Sequence, residues 1–154
     1  MIKKINAYFI NCNRFLLIGI FVTFNLFISV ILNILSKLLY QKSFTENTHA
    51  FSGFFEELIL VVIVCPIIET VLFQFLVIEI LNEKLKKEII CIISALIFAS
   101  THMYNFIYFS FAIIIGLNFA YLYYLGRPSN KGFFIVFVTH LIYNAIVFCL
   151  KHLS

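Results

Sequence analysis

The sequence predicts an all-α, polytopic integral membrane bundle of about five transmembrane helices. The chain of 154 residues is 63% hydrophobic and only 12% charged, where a soluble domain is roughly half apolar and about a quarter charged. Its mean hydropathy is +1.06. The apolar residues gather into five runs separated by short polar breaks, and a bilayer-spanning helix needs about 20 such residues. That leaves no room for a soluble domain. The net charge of +4 does not signal nucleic acid, because most of the cations sit in the breaks, where topology determinants belong.

Lys3, Lys4 and Arg14 form a basic lead before the first run, Phe15 to about Leu35. The run is longer than a signal-peptide core and no small-x-small cleavage site follows, so it is expected to be a retained span. Ser36 to Gly53 is the longest polar connection, with His49 expected in solvent. Span two covers about Phe54 to Ile80. Glu56 and Glu57 fall in its first turn, where carboxylates suit the positive end of a helix dipole. Residues 82–88 are a charged break, with Glu79 at its edge. Span three covers roughly Ile89 to Met103, and span four about Phe106 to Leu125. A Gly/Pro turn at 126–132 follows, then span five, Phe133 to about Leu150, with His152 at a solvated end. Tyr121, Tyr123 and Tyr124 are expected to be interfacial anchors.

With the N-terminus inside, Lys3, Lys4, Arg14, Lys84, Lys86, Lys87, Arg127 and Lys131 are cytoplasmic, and Lys37, Lys42 and Lys151 lie opposite. Eight against three favours a cytoplasmic N-terminus and an outward C-terminus. Cys12, Cys65, Cys91 and Cys149 contain no Cys-x-x-Cys pair and read as small core residues.

Three ionisable groups lie well inside the spans: Glu69 in span two, His102 late in span three and His140 in span five. A charge at bilayer depth costs on the order of 2.5–3.5 kcal/mol on insertion scales and marks a functional candidate. Bringing the three together is the cheapest way to satisfy them. Each also has a polar or aromatic companion at helical spacing: Thr70 and Gln74 beside Glu69, Phe98 one turn before His102, and Asn144 one turn after His140. Span four, with Gly116 and Asn118 near its middle, is the expected packing element. A carboxylate beside two imidazoles can activate water for hydrolysis, and an imidazole and an amide can donate to an oxyanion. Glu69, His102 and His140 could equally ligate a divalent metal such as zinc. A small proton-coupled transporter would also use buried Glu and His, but paired broken helices in two halves are absent.

The stripes resemble the CPBP family of intramembrane metalloproteases, which includes type II CAAX prenyl endopeptidases and bacteriocin-immunity (Abi) proteins. That family's pattern is Glu-Glu-x-x-x-Arg, then Phe-x-x-x-His, then His-x-x-x-Asn. In the same order stand Glu69-Thr70-x-x-x-Gln74, Phe98-x-x-x-His102 and His140-x-x-x-Asn144. The resemblance covers about residues 55–150. It divides the chain into a lead, first helix and loop (1–53) and a four-helix catalytic core (54–154). It implies that Glu69 activates water with His102, that His140 and Asn144 stabilise the oxyanion, and that the substrate is a membrane-associated, in one branch prenylated, protein. A bacterial plasma membrane is the expected location. Thr70 and Gln74 replace the family's second Glu and its Arg, which removes both members of a buried ion pair together. They are expected to form a neutral scaffold pair. That departure keeps open a non-catalytic immunity or partner-binding protein on the same fold.

Overall fold

The computed structural model describes Phe9, residues 12–43 and residues 51–153. Lys3, Lys4 and His49 lie outside them. Among the described residues, five long helical segments follow one another: α1 (Arg14–Tyr40), α2 (Phe54–Leu81), α3 (Lys87–Ser100), α4 (Phe106–Gly126) and α5 (Gly132–Leu153). No strand occurs among the described residues. Large apolar side chains such as Phe27, Ile59, Leu72 and Ile92 face outward, a surface suited to lipid rather than water.

Four of the five runs, in α1, α2, α4 and α5, are helices long and apolar enough to cross a membrane. The third is not. α3 has 14 residues, about 21 Å at 1.5 Å per residue, against a hydrocarbon core of about 30 Å. It stops at Thr101, whose hydroxyl donates to the Phe98 carbonyl at 2.8 Å. Residues 101–105 then turn before Asn105 caps α4 by accepting the Tyr108 N–H at 2.8 Å.

The polar connection begins later than the hydropathy suggests. α1 continues five residues past Leu35, and the chain leaves it at Gln41, which is left-handed at φ 56°. Ser36 is buried and its hydroxyl donates to the Lys42 carbonyl at 2.9 Å. A polar residue in the last turns of a helix is thus satisfied by the chain that follows, which composition alone does not reveal.

α5 is central, packing against α1, α2 and α4. α3 and α4 form a close antiparallel pair. A Cβ on Gly116 would stand 2.9 Å from the Ala95 Cα, so this contact requires glycine, the usual device of membrane helix packing. Asn118 Nδ2 donates to the Asn25 side-chain oxygen Oδ1, joining α4 to α1, with Asn25 fully buried. At the other end of α4, Arg127 donates to both Glu79 oxygens, from Nε at 3.0 Å and Nη2 at 3.1 Å. The Tyr123 hydroxyl donates to Glu79 Oε1 at 2.8 Å. Glu79 is therefore a clamp rather than part of a solvated face, and Tyr123 is a buried member of it rather than an interfacial anchor.

α2 is not a uniform α-helix. Two π segments, Leu58–Val64 and Thr70–Leu76, flank a short α turn at Cys65–Glu69. Each π segment takes up an extra residue through i to i+5 hydrogen bonding. Twelve residues of ordinary α-helix would leave Glu57 and Glu69 about 120° apart around the axis. One extra residue between them removes about 100° of that offset. Glu57, Val61, Cys65 and Glu69 consequently share one face, and all four line the same cavity.

Candidate active site

That cavity is about 340 Å³ and lies chiefly between α2 and α5. Its α2 wall is the Glu57–Val61–Cys65–Glu69 stripe; its α5 wall carries His140, Asn144, Phe148 and Lys151. α3 contributes Phe98, and its C-terminal turn His102 and Tyr104. Because α3 ends short, His102 sits at the depth of Glu69 rather than at a bundle end. α1 contributes Ser29 and α4 a partly aromatic wall including Tyr108 and Phe111.

The three ionisable groups singled out in the sequence meet here. Glu69 Oε1 lies 3.8 Å from His102 Nε2, and Glu69 Oε2 lies 3.6 Å from His140 Nε2. One imidazole thus faces each carboxylate oxygen, slightly beyond direct hydrogen-bond range. A water at about 2.8 Å from both partners fits across a 3.8 Å gap.

His102 is oriented from behind. Its Nδ1 is 2.8 Å from the Phe98 carbonyl and 3.0 Å from Thr101 Oγ1. A carbonyl only accepts, so Nδ1 carries the proton and Nε2 presents a lone pair to the cavity in the neutral ring. The Phe98 ring packs against His102 at 4.5 Å between centroids, and Phe119 against His140 at 4.7 Å. Phe98 therefore serves both as packing and, through its carbonyl, as the His102 anchor. His140 is buried at 5% exposure, and its Nδ1 has no hydrogen-bond partner among the described residues.

Asn144 is in the cavity wall, but one amide N–H is engaged. Nδ2 donates to the Val61 carbonyl at 2.8 Å, tying α5 to the first π segment. The second N–H of that amide remains to serve the cavity.

Residues 51–146, more than half the chain, match the family model for type II CAAX prenyl endopeptidases, Rce1-like. The chain belongs to that family. The match includes Glu69, His102, His140 and Asn144. No curated protein and no solved structure matches the chain.

Thr70 and Gln74 do not form the expected hydrogen-bonded pair in this CAAX-endopeptidase-like protein. Both are fully buried at 0% exposure, and Thr70 Oγ1, Gln74 Oε1 and Gln74 Nε2 have no partner among the described residues. Both lie in the second π segment, where the wider turn alters the i, i+4 alignment on which a pairing would rely. Neither lines the cavity. What holds this segment instead is Ser94, whose hydroxyl donates to the Phe73 carbonyl at 2.6 Å.

Glu69, His102 and His140 are chemically suited to zinc. Among the described residues, however, no group of three or more His, Cys, Asp or Glu side chains is arranged to hold a metal ion. No step below runs through a metal.

Sequence reasoning passed over Glu57, Lys151 and His152, which also meet. Lys151 Nζ donates to Glu57 Oε1 at 2.6 Å, and His152 Nε2 lies 3.2 Å from Glu57 Oε2. Glu57 is thus not simply a dipole-compensating residue, and His152 is not a free solvated end. Its neighbour Glu56 accepts the Ser52 N–H at 2.6 Å, capping the start of α2. The spacing 57, 61, 65, 69 is present in the sequence but signals nothing by itself. In an ordinary α-helix it drifts around the axis, and only the π segment makes it a stripe.

Proposed function

We propose that this protein is an intramembrane endopeptidase that hydrolyses a peptide bond of a membrane-associated substrate of the CAAX type. The observation that carries the reading is the Glu69 carboxylate set between two imidazole Nε2 atoms at 3.8 and 3.6 Å in a cavity between the helices. A water lodged between Glu69 Oε1 and His102 Nε2 loses a proton to Glu69 as its oxygen bonds to the substrate carbonyl carbon. The carbonyl oxygen becomes an oxyanion and accepts hydrogen bonds from His140 and the second Asn144 N–H. When the C–N bond breaks, Glu69 returns the proton to the departing amine, so atoms and charge balance. The fixed tautomer of His102 keeps its lone pair on the water rather than on a competing donor.

The experiment is cleavage of an S-farnesylated CAAX reporter peptide by the protein in proteoliposomes, with ¹⁸O-water to place the new carboxylate oxygen. The reading requires label in the newly formed carboxylate and loss of turnover in Glu69→Gln at unchanged melting temperature. Turnover retained in that variant would rule it out.

A further inference from the structure

The far end of the cavity holds a second charged group that hydrolysis does not use. Glu57 and Lys151 line the same cavity as Glu69 and His140. Along α2, twelve residues separate the two carboxylates, about 18 Å. The wall between them is largely apolar, through Val61, Val147 and Phe148. An extended peptide advances about 3.3–3.6 Å per residue, so roughly five residues of substrate reach from the scissile bond to Glu57.

The two partners there are unequal. The Glu57 side chain is 11% exposed and the Lys151 side chain 58%. Lys151 is the partner with access to water, so it is the one that can leave when another cation arrives. Glu57 cannot follow, and a buried carboxylate requires a cation from one source or the other. The site therefore has a fixed anion and an exchangeable cation. Glu56 adds a second carboxylate at the same helix start, which repels an incoming anion. His152, against the other Glu57 oxygen, stays in place as a donor.

We propose that Glu57 is a specificity subsite for a cationic side chain of the substrate, Lys or Arg, which takes the place of Lys151. This rests on the proteolytic reading above. In a CAAX sequence only three residues follow the cysteine. They extend about 10 Å, too short for the 18 Å span, so the residue that reaches Glu57 lies upstream, about five positions before the scissile bond.

The test measures binding without turnover, in Glu69→Gln protein in nanodiscs. The probes are fluorescein-labelled, S-farnesylated decapeptides ending in CAAX and carrying Lys, Leu or Glu at single positions two to six residues before the cysteine. The Lys peptide with the charge near the fifth position binds at least about five-fold tighter than its Leu and Glu counterparts. Adding Glu57→Gln removes that preference. Adding Lys151→Met instead widens it, because the internal competitor is gone, and this arm separates a subsite from a merely structural ion pair. Equal affinity for all three peptides, a preference for Glu, or a Lys preference that survives Glu57→Gln would overturn the subsite while leaving the protease reading intact. Failure of every peptide to bind would overturn both. Melting temperatures of the double variants, with Glu57→Asp as a milder change, separate lost affinity from lost fold.

Discussion

Glu69 and Glu79 lie ten residues apart on α2, and both face groups from later helices, but in opposite ways. Glu79 is fully engaged: Arg127 donates to both its oxygens at 3.0 and 3.1 Å, and Tyr123 donates to one at 2.8 Å. Glu69 has an imidazole opposite each oxygen at 3.6 and 3.8 Å, just out of reach. The first is a carboxylate whose acceptor capacity is spent on holding helices together. The second is held in position with its capacity unspent, which suits the proton-accepting role proposed for it. The same residue type on the same helix is a scaffold in one place and, in the proposed reading, a reagent in the other, and the two settings differ by about 0.7 Å of separation.

Four variants break or sharpen that contrast. The largest effect falls on Glu69→Gln, which lowers the rate of reporter cleavage by about 10²–10⁴-fold without moving the melting temperature. A variant that melts earlier would mean that Glu69 is scaffold like Glu79. Next is Gly116→Val, which drives a side chain into Ala95 and costs about 1–3 kcal/mol of stability. Because it pushes α3 off α4, it also widens the Glu69–His102 gap and lowers turnover at temperatures where the protein is still folded. Full activity there would show that the gap does not matter. Arg127→Ala costs about 1–2 kcal/mol, discounted for partial exposure of the pair, and turnover per folded molecule is unchanged. Denaturation in detergent and active-site-normalised rates read the two parts separately. The smallest change is expected of Thr70→Val with Gln74→Met. Replacing polar atoms without partners by apolar ones is near neutral or stabilising, within about 1 kcal/mol. A clear loss of stability would mean that those atoms are satisfied in the folded protein.

The sequence made the membrane class legible because hydropathy is summed over long runs and tolerates local error. Glu69, His102 and His140 were legible for a related reason: each is an isolated cost in an apolar run, and the chain has few ways to discharge it. Features that depend on where a helix stops or how it winds were not. The hydropathy of 89–103 looks like a crossing, yet Thr101 and His102 both turn to the Phe98 carbonyl and end α3 early. The π turns leave no mark in composition, so neither the Glu57–Glu69 stripe nor the missing Thr70–Gln74 bond could be read from spacing. Asn144 lines the cavity, with one N–H committed to a backbone carbonyl that no side-chain pattern announces.

The π winding of α2 makes this helix tolerant of a shorter sequence and intolerant of a straighter path. Delete one residue from Leu58–Val64 and the segment can relax to an ordinary α-helix with no lost hydrogen bonds. Eleven α-helical steps then separate Glu57 from Glu69, which leaves them about 20° apart and still on one face. The full-length segment is the one that must not straighten. Twelve α-helical steps would turn everything from Cys65 onward by about 100° relative to Glu57, and either Glu69 or the mouth of the cavity would then face the acyl chains.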